Sequence, residues 1–544
     1  MNNIKSTIGF ESFITMWRMR WKMYRTIASI YLVMSLLATF LLTWYCNGSE
    51  WKMIMQYIWN STTLFSWPSF APIKEPIHYL IWWSVYCIIF VFFGVVVLSF
   101  FFKKKLAKDQ MADRYLSGAR MISTNELVSE MKRNREDTDI PLSRDIQMPK
   151  TAEVKHVFII GRPGTGKTVF LSQVLHHLIK REEKAVIHDF KGDYISRFYN
   201  PDKDLIFNPL DMRGVNWNIF NEIKTVMDIE AIAASLIPES YGPDNFFNKA
   251  ARDVLVGILH YLWQNNLRTN DALYSSVTAT GEEIAAWLKN TPSGEAGYVY
   301  IQDPNSKQAL SVLATLMTFT SCFKYMPSGN DCDFSITQWV ESGKGMIFVS
   351  NYADIKDTLK PILSLFIDVA GRGILSLPDN LSRRVFFFLD EFGTLQKLTT
   401  IQNLLTASRS KGGSVWLGIQ DIGQLDKIYT PAGRQTIVNA AGNSMVFSVS
   451  DPDSAEFLSK KIGDIEFSRT QESYVTSPND YRDSINLTRL EKVKRLVLGS
   501  DITNLKDLEC YLKIANYDIT KTKLDLKQYK ERDPGFKLRQ ELSI

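Results

Sequence analysis

The chain has 544 residues, room for roughly three or four domains at ~100–200 residues each. Its formal charge of +5 is too small to mark a nucleic-acid binder by charge alone. The five cysteines, Cys46, Cys87, Cys322, Cys332 and Cys510, have neither C-x-x-C nor metal-type spacing. That excludes a zinc site and a disulfide framework and fits a reducing, cytoplasmic body.

Two uncharged apolar runs lie near the start, residues 27–45 and 79–102. Each is about the ~20 residues that a helix needs to cross a bilayer. Arg18, Arg20, Lys22 and Arg25 precede the first run, and Lys103, Lys104, Lys105 and Lys108 follow the second. The loop between carries only Lys52 and Lys74 as basic residues, balanced by Glu50 and Glu75. The excess of flanking cations keeps both termini in the cytoplasm and residues 46–78 outside. Trp44, Trp51, Trp82 and Trp83 fall near the expected interfaces. Residues 1–105 therefore read as a membrane anchor with two transmembrane helices.

After a polar link comes the stretch on which the reading turns, Gly161-Arg162-Pro163-Gly164-Thr165-Gly166-Lys167-Thr168. It fits the phosphate-loop pattern G-x-x-x-x-G-K-[ST] at every position. The apolar strand His156–Ile160 precedes it, and Val169, Phe170, Leu171, Leu175 and Leu178 follow at helical spacing. A strand entering a glycine turn and then a helix start turns backbone N–H groups and the positive helix end toward a phosphate chain. Lys167 reaches the β- and γ-phosphates of ATP, and Thr168 holds Mg²⁺.

A second buried strand, Ala185–His188, delivers Asp189-Phe190-Lys191-Gly192-Asp193 at its carboxyl end, where open α/β sheets put ligands. Asp189 and Lys191 line the nucleotide site or the subunit boundary, or else belong to a solvated turn. Residues 223–335 switch to a period near 3.6 in Ile229–Leu236, Asp253–Trp263, Gly281–Leu288 and Lys307–Phe319, an all-α insertion. The α/β texture returns at the strand Gly345–Val349.

Val385–Leu389 followed by Asp390-Glu391 is a Walker B arrangement. Asp390 binds Mg²⁺, and Glu391 orients and deprotonates the attacking water. Arg409 ends the next helix. It suits a finger reaching a neighbour's γ-phosphate, and it equally suits a surface ion pair; the residues alone leave both open. Gln420, at the end of strand Val415–Ile419, can sense the γ-phosphate. The fold class is thus α/β, a P-loop ATPase domain over 106–222 and 336–544 interrupted by the helical insertion.

The order of these motifs, with Asp189–Asp193, Asp390-Glu391-Phe392-Gly393 and Gly418-Ile419-Gln420-Asp421, resembles the type IV coupling proteins of conjugative secretion in the TraD/TrwB branch. So do Gly118-Ala119-Arg120, Glu153 with His156, Asn208-Pro209-Leu210-Asp211-Met212-Arg213 with Trp217, and Ala455–Gly463. The resemblance covers nearly the whole chain. It implies a RecA-like domain with an all-α domain, a homo-hexameric ring in the bacterial inner membrane, and residues 46–78 in the periplasm. It further implies ATP-driven movement of single-stranded DNA with its relaxase toward a type IV secretion channel, with Arg409 as the finger in trans and Gln420 as the sensor. His188 departs from that pattern, and the tail after Leu498 lacks a long acidic extension.

Other readings share the motor. A coupler whose cargo is mainly protein effectors uses the same residues. A chromosome-segregation motor of the FtsK type, acting on double-stranded DNA, would carry more spans, a long linker and a winged-helix tail. A nucleotide-gated scaffold has no need of Lys167, Glu391 and Arg409 together. Lys155, Arg181, Lys397 and Arg434 are candidate contacts to the strand's phosphates, each with an ordinary solvated side chain as the plainer alternative.

Overall fold

The computed structural model describes residues 114–242, 245–327, 332–475 and 484–540, with scattered positions between 21 and 94. The two expected spans lie partly outside the described residues. Their described positions are helical, and among the described residues no helix is long and apolar enough to cross a membrane. The chain divides into two compact units, Met1–Ser117 with Glu466–Val493 and Gly118–Ile465 with Lys494–Ile544.

The strands in chain order are β1 (Arg114–Gly118), β2 (Met121–Ile122), β3 (Thr138–Pro141), β4 (Gln147–Pro149), β5 (Val157–Ile160), β6 (Lys184–Asp189), β7 (Leu205–Phe207), β8 (Met346–Ser350), β9 (Val385–Leu389) and β10 (Gly413–Ile419). They continue with β11 (Asn443–Val446), β12 (Asp464–Val475), β13 (Ser484–Arg495), β14 (Glu509–Lys513) and β15 (Ile519–Lys523). β1, β12 and β13 make a three-stranded sheet.

The larger unit is built on a ten-stranded sheet of order β2-β15-β14-β11-β5-β10-β9-β6-β8-β7. From β7 to β11 neighbouring strands run parallel; β14 then pairs antiparallel with both β11 and β15. Every residue of β5, β8, β9 and β10 is buried. Such unbroken apolar runs suit parallel strands covered on both faces, and a separate hydrophobic cluster fills each side of the sheet. Because β5, β9 and β10 pair in parallel register, the turns after them meet at one edge.

Helices fill the chain between β7 and β8. Val226–Leu236 and Gly281–Lys289 start on capping boxes, Thr225 with Asp228 and Thr280 with Glu283. The helix Ile336–Ser342 starts against Glu222, whose buried carboxylate accepts from the Ile336 N–H (2.8 Å), the Thr337 hydroxyl (2.5 Å) and the Trp217 indole (2.9 Å). One carboxylate thereby joins the point where the chain leaves the sheet to the point where it returns.

The C-terminal stretch lies over the turn after β6. The Arg532 N–H donates to the Ser196 carbonyl (2.7 Å) and the Met212 N–H to the Lys537 carbonyl (2.8 Å). Gly535 packs so closely on Gly192 that a Cβ on Gly192 would stand 2.9 Å from its carbonyl oxygen.

Candidate functional site

β5 passes directly into Gly161–Thr168. A Cβ at Gly161 would lie 2.6 Å from the Phe447 Cβ, and one at Gly166, where φ is +116°, would lie 2.9 Å from Leu508 Cδ2. Both positions exclude a side chain, so the backbone can turn tightly. The Arg162 N–H is held by the Ser448 carbonyl (2.8 Å) and the Thr165 hydroxyl by the Arg162 carbonyl (2.8 Å). Pro163 and Gly164 form the exposed tip. The helix Lys167–Lys180 begins on Gly166, which offers no side-chain cap. Its first-turn N–H groups, with Thr168 among them, are open to an anion.

Lys167 is only 7% exposed, and its ammonium donates to the Gly161 carbonyl. Burial lowers its pKa, opposed by the carboxylates of Asp390 and Glu391. No ion pair reaches it among the described residues. A desolvated cation inside an N–H-lined loop fits a phosphate chain.

At the end of β9, Asp390 is 8% exposed and its pKa is raised by burial. It accepts from the Tyr194 hydroxyl (2.8 Å) and from the Glu391 N–H (3.0 Å). Glu391 sits in the left-handed region at φ 54°, an uncommon conformation outside glycine that turns the chain sharply after the strand. Its carboxylate accepts from the Gln420 amide (3.3 Å) and lies 3.6 Å from the Lys191 ammonium. These side chains, two acids near a buried lysine, would suit a divalent cation, which would supply charge neutralisation beside a phosphate chain, and a water to be polarised.

Asp189 and Lys191 part company. Lys191 reaches the acids, whereas Asp189 is buried and accepts from the N–H groups of Tyr194 (2.9 Å) and Ile195 (2.8 Å), holding the start of helix Asp193–Phe198. Burial pushes its pKa up to about 7 despite those bonds. His188 acquires a role as well. It is fully buried, its Nδ1 lies 2.8 Å from the Asp390 carbonyl, and burial pushes its pKa down to about 4. A neutral ring donating from Nδ1 pins the turn that presents Asp390 and Glu391.

Arg409 stands elsewhere. It is exposed in the turn Ser408–Lys411, before the amino end of β10, whereas Gln420 follows the carboxyl end. The seven residues of β10 at ~3.3 Å each separate the two by roughly 20 Å. Arg409 cannot meet Lys167 of its own chain. Among the described residues it makes no ion pair.

Tyr194 gave no signal in the sequence beyond following the Asp189–Asp193 turn. The four basic candidates also needed the structure. Arg181 pairs with Asp139 (3.0 Å), Glu153 (2.8 Å) and Glu183 (2.8 Å). Arg434 pairs with Asp426 (2.6 Å) and lies over the Phe457 ring, and Lys155 is half-buried before β5. Arg181 and Arg434 are therefore structural cations rather than solvated ones. Lys397 faces a cleft.

Residues 143–526 match the family described as the type IV secretion-system coupling protein DNA-binding domain. The chain is 27% identical over 453 residues to the coupling protein TraD of Escherichia coli strain K12, covering 80% of this chain and 62% of TraD. Protein VirD4 of Rhizobium radiobacter is 24% identical over 65% of this chain and 55% of VirD4. The chain thus spans about 55–62% of these relatives. Among solved structures, plasmid coupling protein TrwB in complex with ADP and Mg²⁺ superposes with a TM-score of 0.69 at 30% identity, over 78% of this chain and 98% of TrwB. Unbound TrwB lacking its first residues gives 0.68 at 30%, over 78% and 96%. The mixed sheet with its phosphate loop is an α/β P-loop ATPase fold, and the chain belongs to the type IV secretion-system coupling proteins.

Proposed function

We propose that this chain is the membrane-anchored motor of a type IV secretion system, a homo-hexameric, RecA-like ATPase. It would deliver single-stranded DNA bound to its relaxase into the secretion channel. Residues 27–45 and 79–102 anchor it in the inner membrane, residues 46–78 face the periplasm, and residues 223–335 form the all-α domain. The exposed apolar side chains at described positions of the spans, Leu36 and Phe93 among them, suit a lipid setting.

The observation that carries the reading is the division of the chemistry between two edges of one sheet. Lys167, Asp390, Glu391 and Gln420 gather at the carboxyl edge, while Arg409 waits at the amino edge, so a site is whole only when a second copy supplies its arginine. Lys167 and the loop N–H groups hold the β- and γ-phosphates of ATP. Thr168 and Asp390 hold Mg²⁺, which supplies charge neutralisation across the phosphates. Glu391, freed from Lys191, takes the proton of the attacking water, Gln420 reports the γ-phosphate to it, and the neighbour's Arg409 meets the charge that spreads in the transition state. TrwB's solved complexes with ADP and Mg²⁺ and with a non-hydrolysable ATP analogue support the choice of ligands.

Hydrolysis of ATP by the purified full chain, with and without single-stranded DNA, tests the reading. Stimulation by about tenfold or more is expected, in line with a strand that completes ring assembly. ATP binding with no response to DNA contradicts the DNA motor and favours protein cargo.

A further inference from the structure

A cleft of about 440 Å³ opens where the helical segment meets the turn after Glu391. That is within the roughly 300–1,000 Å³ range of ligand sites. Three lysines from three separate elements border it: Lys360 on helix Lys356–Ser376, Lys397 on the turn after β9, and Lys427 on the helical stretch after Gln420. Lys360 is half-buried; burial lowers its pKa, opposed by the Asp357 carboxylate, and among the described residues no ion pair reaches it. The Ser240 hydroxyl, also on the cleft, is buried without a hydrogen-bond partner. Glu239 and Asp357 border it too, but both are exposed, and Glu239 approaches Lys397 only to 3.8 Å. Tyr241 stands 54% exposed beside them, its ring 5.0 Å from the Lys397 ammonium.

A half-buried cation and an orphan hydroxyl are costly to keep in a folded chain unless an anion meets them. Lysines converging from separate elements beside an exposed aromatic ring are the combination that grips a strand without reading its sequence. The cations take phosphates and the ring takes the flat face of a base. We propose that this cleft holds the sugar–phosphate backbone of a single-stranded nucleic acid, with Lys360, Lys397 and Lys427 on phosphates and Tyr241 under a base. The assignment rests on the reading of the chain as a DNA motor and adds the place where the strand is held.

It also supplies a route from strand to chemistry. Lys397 follows Glu391 by six residues. Along that segment the Thr394 hydroxyl donates to the Glu391 carbonyl (2.8 Å), and a Cβ at Gly393 would collide with Gln424 Oε1 at 2.6 Å. The Gln396 amide donates to the Ser235 carbonyl (2.6 Å), and the Leu398 N–H to the Tyr429 hydroxyl (2.9 Å). With so little slack, displacement of Lys397 by a moving strand passes to the water-orienting acid.

The test is fluorescence anisotropy of the full chain with a labelled oligothymidylate across a salt series. In Lys360→Gln/Lys397→Gln, affinity falls at least about tenfold, and the slope of log Kd against log salt falls by about 1.4, near 0.7 for each phosphate that is no longer neutralised. Tyr241→Ala weakens binding about tenfold with the slope unchanged, and Lys360→Arg/Lys397→Arg restores both. Photocrosslinking of a bromodeoxyuridine strand to the unaltered chain, which needs no variant to fold, labels Tyr241 or its neighbours. Tight binding that the variants leave unchanged, with crosslinks elsewhere, overturns the location alone. An unaltered chain that binds no strand, or a cleft that binds an acidic peptide instead, overturns the location; the former also defeats the DNA-motor reading.

Discussion

Glu153 and Asp390 are both buried carboxylates of one α/β unit, and they are treated in opposite ways. Glu153, near the amino edge of the sheet, is fully buried and accepts from Arg181 (2.8 Å) and Arg384 (3.0 Å), while its carbonyl takes the Ser414 hydroxyl (2.6 Å). Asp390, at the carboxyl edge, has a phenol and a backbone N–H but no cation within ion-pair distance among the described residues. Where charge serves the fold it is met within the chain. Asp390 is left short of such a partner, as the proposed function expects of an acid whose compensating charge would arrive with a ligand.

Exchanging the two acids for amides separates these roles most widely. Asp390→Asn lowers ATP hydrolysis by about a thousandfold yet leaves the melting temperature unchanged or raised, because burial disfavours the ionised acid. Glu153→Gln does the reverse, costing about 3 kcal/mol of stability by stranding Arg181 and Arg384, with the surviving folded fraction active. Denaturation midpoints and hydrolysis rates on both variants check this. A strongly destabilised Asp390→Asn would break the comparison.

Tyr194→Phe should have a smaller effect. Without its hydroxyl, Asp390 is oriented less well, and the Mg²⁺ concentration for half-maximal hydrolysis rises about tenfold while the rate at saturation changes little. A lowered rate with an unchanged Mg²⁺ requirement would give Tyr194 some other task.

Acid sensitivity separates buried groups in a third way. His188 and His156 are both held near a pKa of about 4 by burial, below the ordinary value of 6.5. The stability carried by each neutral ring is complete above pH 6.5 and lost as pH falls through about 4, on the order of 3 kcal/mol per ring. Asp189 works the other way, since its raised pKa favours the fold below the ordinary carboxylate value and that contribution is lost as pH rises through about 7. Melting temperatures between pH 7 and pH 4.5 should fall less steeply for His188→Gln than for the unaltered chain; equal slopes would remove His188 from the account.

What the sequence made legible was local. The phosphate loop, the strand before it and the Asp390-Glu391 turn each declare themselves within ten residues, because apolar runs, glycines and acids must adjoin for those turns to form. Tyr194 meets Asp390 across 196 positions and His188 across 202, and no periodicity marks either pair. Arg181 and Arg434 looked like solvated cations because their acidic partners are supplied by tertiary packing. Arg409 is ambiguous because its residue type fits a finger and a surface pair equally; the structure adds its place before β10, far from Lys167 of its own chain, and the finger role belongs to the proposed function. The close packing of residues 532–535 against Gly192 and Ser196 likewise has no local signature.

The central claim, that each site is finished by a neighbour, is tested most directly by mixing two inactive full-length variants, Lys167→Ala and Arg409→Ala. Each alone should hydrolyse ATP at least about a thousandfold more slowly than the unaltered chain. Mixed in equal amounts, junctions that pair an intact Lys167 with a neighbour's intact Arg409 should form at about one in four, and hydrolysis should return to roughly a quarter of the unaltered rate. A mixture as inactive as its components, in rings shown to contain both, would contradict the account.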